Sequence, residues 1–124
     1  MKFKNVLFLL AVSLLTFSSC KKDSEKPDLA KEVVSTYEGA FQSASGTFQS
    51  TDYKVTVSKI DNTKIKIEPE DSNGTTMEVT IAESSGTYAG SADGFAITFQ
   101  EINGVMTLSY STSATSEQFT GEKQ

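Results

Sequence analysis

Few residues in this 124-residue chain are equipped for chemistry. It has one cysteine, Cys20, and no histidine, arginine or tryptophan. Without histidine the commonest general base and metal ligand is missing. Without arginine no side chain can grip a phosphate or carboxylate bidentately. Serine and threonine crowd Ser109 to Ser116, but a serine nucleophile needs a base within hydrogen-bond reach. Ser111–Ser116 therefore reads as a loop before a last strand. Glu68-Pro69-Glu70-Asp71-Ser72-Asn73 gathers oxygen atoms, but it lacks the spacing and the closing bidentate Glu of a calcium loop. It reads as an acidic turn. No carboxylate pair stands out for glycoside hydrolysis. The chain is expected to be no enzyme and to use no cofactor and no metal.

Cys20 is the exception, because of what precedes it. Met1-Lys2-Phe3-Lys4 carries two positive charges, Val6 to Phe17 is an apolar run, and Ser18-Ser19 leads into the cysteine. A basic start, a short apolar stretch and small residues at the cut mark a secretory signal. The run is too short for a helix spanning about 30 Å of hydrocarbon. In Phe17-Ser18-Ser19-Cys20 the chain resembles bacterial lipoprotein precursors, whose cysteine becomes the acylated first residue of the mature protein. Their usual aliphatic residue three before the cysteine is here Phe17. The resemblance implies two or three acyl chains on Cys20, enough for stable anchoring, and a place in the cell envelope. The anchor would lie in the outer membrane, on its periplasmic face or at the cell surface. A single thiol also forms no intrachain disulfide.

Three segments follow: a signal at 1–19, a polar tether at 20–27 carrying Cys20, and a domain at 28–124. In Bacteroidetes-like lipoproteins acidic residues after the cysteine act in surface export, which Asp23 and Glu25 match in part; a solvated spacer is the other reading. Without residues 1–19, nine lysines face sixteen carboxylates, a net charge near −7. That excludes a nucleic-acid binder, which needs a basic face, and electrostatic adsorption to anionic lipid. The membrane is then a partner only through the acyl chains.

The domain opens on a helical pattern over 28–37, with Asp28 as N-cap and Leu29, Val33 and Tyr37 on one face. Beyond it the period is two. Tyr53, Val55 and Val57 alternate with polar residues, as do Ile65 and Ile67; Met77, Val79 and Ile81; Phe95, Ile97 and Phe99; and Met106, Leu108 and Tyr110. Such runs are half-buried antiparallel strands. Asp61-Asn62, Ser72-Asn73-Gly74, Ser85-Gly86, Asp93-Gly94 and Asn103-Gly104 separate them and favour tight turns with positive φ. Weaker strands are expected at 39–42, 46–50, 87–90 and 117–123. The predicted fold is all-β: a small antiparallel up-and-down barrel of about eight strands with a short N-terminal helix. The alternative is a β-sandwich.

Tyr37-Glu38-Gly39-Ala40-Phe41 opens this domain and Phe119-Thr120-Gly121-Glu122-Lys123 ends it. In these segments it resembles the small lipocalin-like or calycin-like β-barrel domains of Bacteroidetes lipoproteins, without the Gly-x-Trp signature of true lipocalins. The resemblance implies a barrel that holds a small apolar ligand. Phe41, Tyr53, Phe95, Phe99 and Tyr110 are the candidate ligand-binding residues, with Phe48 and Phe119 beside them. The competing expectation is that these rings fill the interior, as eight-stranded barrels allow. Two functions stand side by side: a lipid-anchored module for a small hydrophobic ligand or an envelope protein, and a structural or inhibitory envelope protein acting through its loops.

Overall fold

Alternating apolar and polar residues give each strand one buried and one exposed face. On that pattern nine strands form in the computed structural model, which describes residues 27–124. The signal at 1–19, Cys20 and the tether as far as residue 26 lie outside the described residues. The strands are β1 (Ser35–Gln42), β2 (Gln49–Lys59), β3 (Lys64–Pro69), β4 (Met77–Thr80), β5 (Ala82–Ser84), β6 (Thr87–Ala92), β7 (Phe95–Ile102), β8 (Val105–Thr112) and β9 (Gln118–Lys123). One helix, α1 (Ala30–Val33), precedes them.

Every strand pairs antiparallel with its neighbour, in the order β4-β3-β2-β1-β9-β8-β7-β6-β5. The first and last strands, β1 and β9, pair from Tyr37↔Lys123 to Gln42↔Gln118. The two ends of the sheet, β4 and β5, are consecutive and separated by Ile81 alone. The result is a nearly closed up-and-down barrel, and the sandwich alternative is set aside. The ninth strand arises at the seam. Met77, Val79 and Ile81 continue one alternation, yet the backbone changes partner there, from β3 to β6. Ile81 N–H donates instead to Thr63 O at 2.8 Å.

Local chemistry corrects three further expectations. The helix is a single turn, because Val34 already has extended backbone (φ −65, ψ 119) and β-branched residues resist continuing a helix. The N-cap position falls on Leu29, which has no side-chain cap, rather than on Asp28, whose Oδ1 accepts Lys31 N–H at 3.2 Å from one residue further back. Tyr37 belongs to β1, and its hydroxyl closes the helix end by donating to Val33 O at 2.6 Å. Residues 46–48 form part of a loop, and the strand begins at Gln49. Ser85-Gly86, Asp93-Gly94 and Asn103-Gly104 do form turns with both residues at positive φ. The other two connections are longer loops built on side-chain turns: Asp61 Oδ1 accepts Thr63 N–H at 2.9 Å and Asp71 Oδ1 accepts Asn73 N–H at 3.0 Å. A short aspartate satisfies the backbone this way without a left-handed residue.

The interior is a continuous apolar core that includes Tyr37, Val55, Val57, Ile65, Ile67, Val79, Ile97 and Leu108. Buried Ala30 and Val33 of α1 pack onto it. The barrel thus has a capped end, with α1, loop 60–63 and the Ser85-Gly86 and Asn103-Gly104 turns. Loops 43–48, 70–76 and 113–117 and the Asp93-Gly94 turn form the opposite, loop end.

Candidate functional site

Inward positions on neighbouring strands bring the five candidate aromatic residues into the barrel, all at most 5% exposed. They do not form one group. Phe41 stacks on Tyr53, ring centroids 4.0 Å apart and nearly parallel, with Phe48 6.0 Å from Phe41. Tyr110 meets Phe95 at 5.7 Å and Phe119 at 5.5 Å. The register sets Phe41 opposite Phe119 and Phe119 opposite Tyr110, so these rings gather towards the loop end. Phe99 lies apart, against Tyr37 at 5.6 Å on the capped side. Aromatic pairs at such separations contribute about 0.5–1.5 kcal/mol beyond the area they bury.

A β-bulge shapes this end. Gly39 faces Tyr53 and Phe41 faces Ser50, leaving Thr51 and Asp52 of β2 opposite Ala40. The extra residue shifts the alternation by one and lets Phe48 join Phe41 and Tyr53. On the outer face the bulge leaves an open groove of about 680 Å³, lined by the exposed Ala40, Gln49, Thr51, Gln118 and Thr120. Its lining is mixed, polar side chains alternating with Ala40, Phe41 and Phe119, and Asp52 is its one charged residue. A second hollow, about 300 Å³, lies beside loop 70–76, with Glu38, Asp52, Glu70 and Asp71 around Lys54.

Two of those carboxylates, Glu70 and Asp71, already serve the fold. Tyr53 hydroxyl donates to Asp71 Oδ1 at 2.7 Å, and Lys54 N–H to Glu70 Oε1 at 2.7 Å. The Tyr53 hydrogen bond holds the Asp71 carboxyl below the ordinary carboxylate value. Burial, with Asp71 adding to it, pushes the Tyr53 hydroxyl up. Among the described residues no group of three or more His, Cys, Asp or Glu side chains is arranged to hold a metal.

The structure adds a residue that the sequence did not single out. Glu117 is 2% exposed and accepts two hydrogen bonds from Thr75, from N–H at 2.8 Å and Oγ1 at 2.7 Å. Beside it, Ser116 N–H donates to Ala44 O at 3.2 Å and Gln42 Nε2 to Ser116 O at 3.1 Å. Three loops are thereby tied together. The only signal in the sequence is one glutamate in an otherwise uncharged Ser/Thr segment, and its partner lies forty-two residues away.

Tyr110 sits beneath these loops. Its buried hydroxyl has no hydrogen-bond partner among the described residues, and burial, then the Glu117 charge, pushes its ionisation up. An unpaired buried hydroxyl costs about 1–3 kcal/mol, so Tyr110→Phe should leave thermal stability unchanged or raise it. Tyr37, Tyr53 and Tyr110 all have raised folded-state values, chiefly through burial. Their stabilising contribution is complete below the unfolded value near 10 and is lost as pH rises above it. The alkaline unfolding midpoint, followed by circular dichroism, should move upward in the Phe variant. A drop in melting temperature at neutral pH would mean that the hydroxyl is bonded.

Comparison with protein-family models, with curated proteins and with solved structures returns no match.

Proposed function

We propose that this chain is a lipid-anchored cell-envelope protein, held in the outer membrane by acyl chains on Cys20. Its filled barrel is a scaffold that presents acidic loops to an envelope partner, and it performs no catalysis. The observation that carries this reading is the ring packing at the loop end. Phe41, Tyr53, Phe95, Tyr110 and Phe119 occupy one another's contact surfaces where an apolar ligand would lie. Loops 43–48, 70–76 and 113–117 and the Asp93-Gly94 turn expose Glu70, Asp71 and Asp93, with Glu117 buried among them, and hold no lysine. With Lys54 of β2 the one cation beside Glu70 and Asp71, this end is net negative, and such a surface speeds encounter with a basic partner.

A second reading, carriage of a small hydrophobic ligand in the lipocalin-like manner, is favoured by one observation, the unpaired Tyr110 hydroxyl. A ligand carrying a polar group would satisfy it.

Native mass spectrometry of the protein isolated from its own host separates the two. The expected mass is that of the mature chain plus its acyl chains. Further mass that disappears on solvent extraction would transfer the function to carriage. Cys20→Ala should abolish partition into the detergent phase; unchanged partition would remove the anchor.

A further inference from the structure

We propose that the capped end of the barrel rests on the lipid surface, with Ile60 and Ile102 entering the headgroup boundary and the acidic loop end facing away. The proposal rests on the anchored reading and adds an orientation to it. Ile60 and Ile102 are the large hydrophobic residues left exposed among the described residues, at 45% and 50%. Single exposed apolar residues are ordinary, but their placement here is not scattered. Ile60 follows β2 and Ile102 ends β7, so both belong to the capped end. In the circuit of strands the β2–β3 and β7–β8 connections lie on opposite sides of that end. Two apolar points across one mouth define a footprint roughly perpendicular to the barrel axis.

The chain also enters at this end. Leu29 and Ala30 N–H both donate to Asn62 O, at 2.8 and 3.0 Å, which fixes residues 29 and 30 beside the Ile60 loop. Cys20 is seven residues before Pro27, and seven residues reach about 24 Å at full extension. That is about the length of one eight-residue strand. An anchor on Cys20 therefore favours the capped end at the bilayer, because the loop end reaches the surface only with the tether stretched to nearly its full length along the barrel.

Charge points the same way. Lys31, Lys59, Lys64 and Lys123 lie at the capped end, mixed with carboxylates and in part paired with them, as Lys59 is with Asp28 at 2.7 Å. The opposite loops carry acids alone, which an anionic leaflet repels. Electrostatics thus gives no adsorption by itself, but it disfavours the inverted orientation. With the tether supplying proximity, two isoleucines need only set the tilt.

The test uses full-length acylated protein in phosphatidylcholine vesicles. Cys20 is then blocked, so I60C, I102C and S113C each offer a single thiol for a nitroxide. Ser113 is exposed in the loop end. The ratio of collisions with oxygen to collisions with a water-soluble nickel chelate should be several-fold higher at 60 and 102 than at 113. Equal ratios on vesicle-bound protein would overturn the orientation and leave the anchor standing. Shielding of 60 and 102 from both reagents would overturn it too, and would assign the rim to a second copy of the chain. Protein that fails to float with the vesicles would overturn the anchored reading, and the orientation with it.

Discussion

Gly39→Ala should remove most of the fold's stability, although a single methyl is added and the backbone φ of Gly39 is not left-handed. Gly39 faces Gly121 across β1 and β9, the first and last strands, whose pairing joins the two halves of the sheet. A Cβ on Gly39 would run into the carbonyl oxygen of Thr120 and, at 2.5 Å, the Cα of Gly121. Overpacking in a core ordinarily costs about 1–3 kcal/mol because side chains rotate away. Here the obstacle is the backbone of the paired strand, so relief requires separating β1 from β9. A loss of about 4 kcal/mol or more is expected, against a total stability of about 5–15 kcal/mol for a domain. Gly104 supplies the contrast. It has positive φ (+81) but nothing within 4 Å of an added Cβ, so Gly104→Ala should cost about 1 kcal/mol of backbone strain. Urea unfolding of the two variants decides the point. Similar losses in both would mean that the β1–β9 junction is loose enough to accept a side chain.

The same junction shows which parts of the fold can be read along the chain. Alternation at Tyr53-Val55-Val57 or Phe95-Ile97-Phe99 fixes the buried face directly, since one residue of slip would turn every side chain outward. Ser85-Gly86, Asp93-Gly94 and Asn103-Gly104 are equally readable, because few residues tolerate two successive positive φ values. What period two does not carry is depth. It places Phe41, Tyr53, Phe95, Phe99 and Tyr110 on inward faces but says nothing of height in the barrel, which depends on register. Phe99 therefore falls beside Tyr37 while the other four gather at the loop end. Period two also does not reveal a change of partner. Met77 to Ile81 reads as one strand, and only the third dimension hands its continuation from β3 to β6. The bulge at Thr51-Asp52 has no distinctive residue types, so the groove above it was not legible.

Glu117 is the furthest from legibility, and its removal should have the second large effect. Its carboxylate is buried, and both oxygens are engaged by Thr75. Hydrogen bonds to a charged group contribute about 1.5–3 kcal/mol each, offset by the cost of burying the charge. Glu117→Ala leaves the Thr75 amide and hydroxyl without acceptors and opens a cavity, so a loss of about 3 kcal/mol is expected. Thr75→Val should cost less, because the amide still donates to Glu117. In the double variant the losses should fall short of additive by about 1–2 kcal/mol, the signature of groups in one network. Hydrogen exchange gives a second readout. Amides of loops 70–76 and 113–117 should lose protection together in Glu117→Ala, while β7 and β8 amides stay protected at low denaturant. Additive losses, or exchange confined to one loop, would mean that Glu117 does not join them. If the acidic loop end meets the envelope partner, that joint also sets the spacing of Asp71 and its neighbours. Glu117→Ala should then weaken partner binding without removing any exposed charge, whereas Asp71→Asn should weaken it by slowing association. The two variants separate a surface held in shape from a surface that is merely acidic.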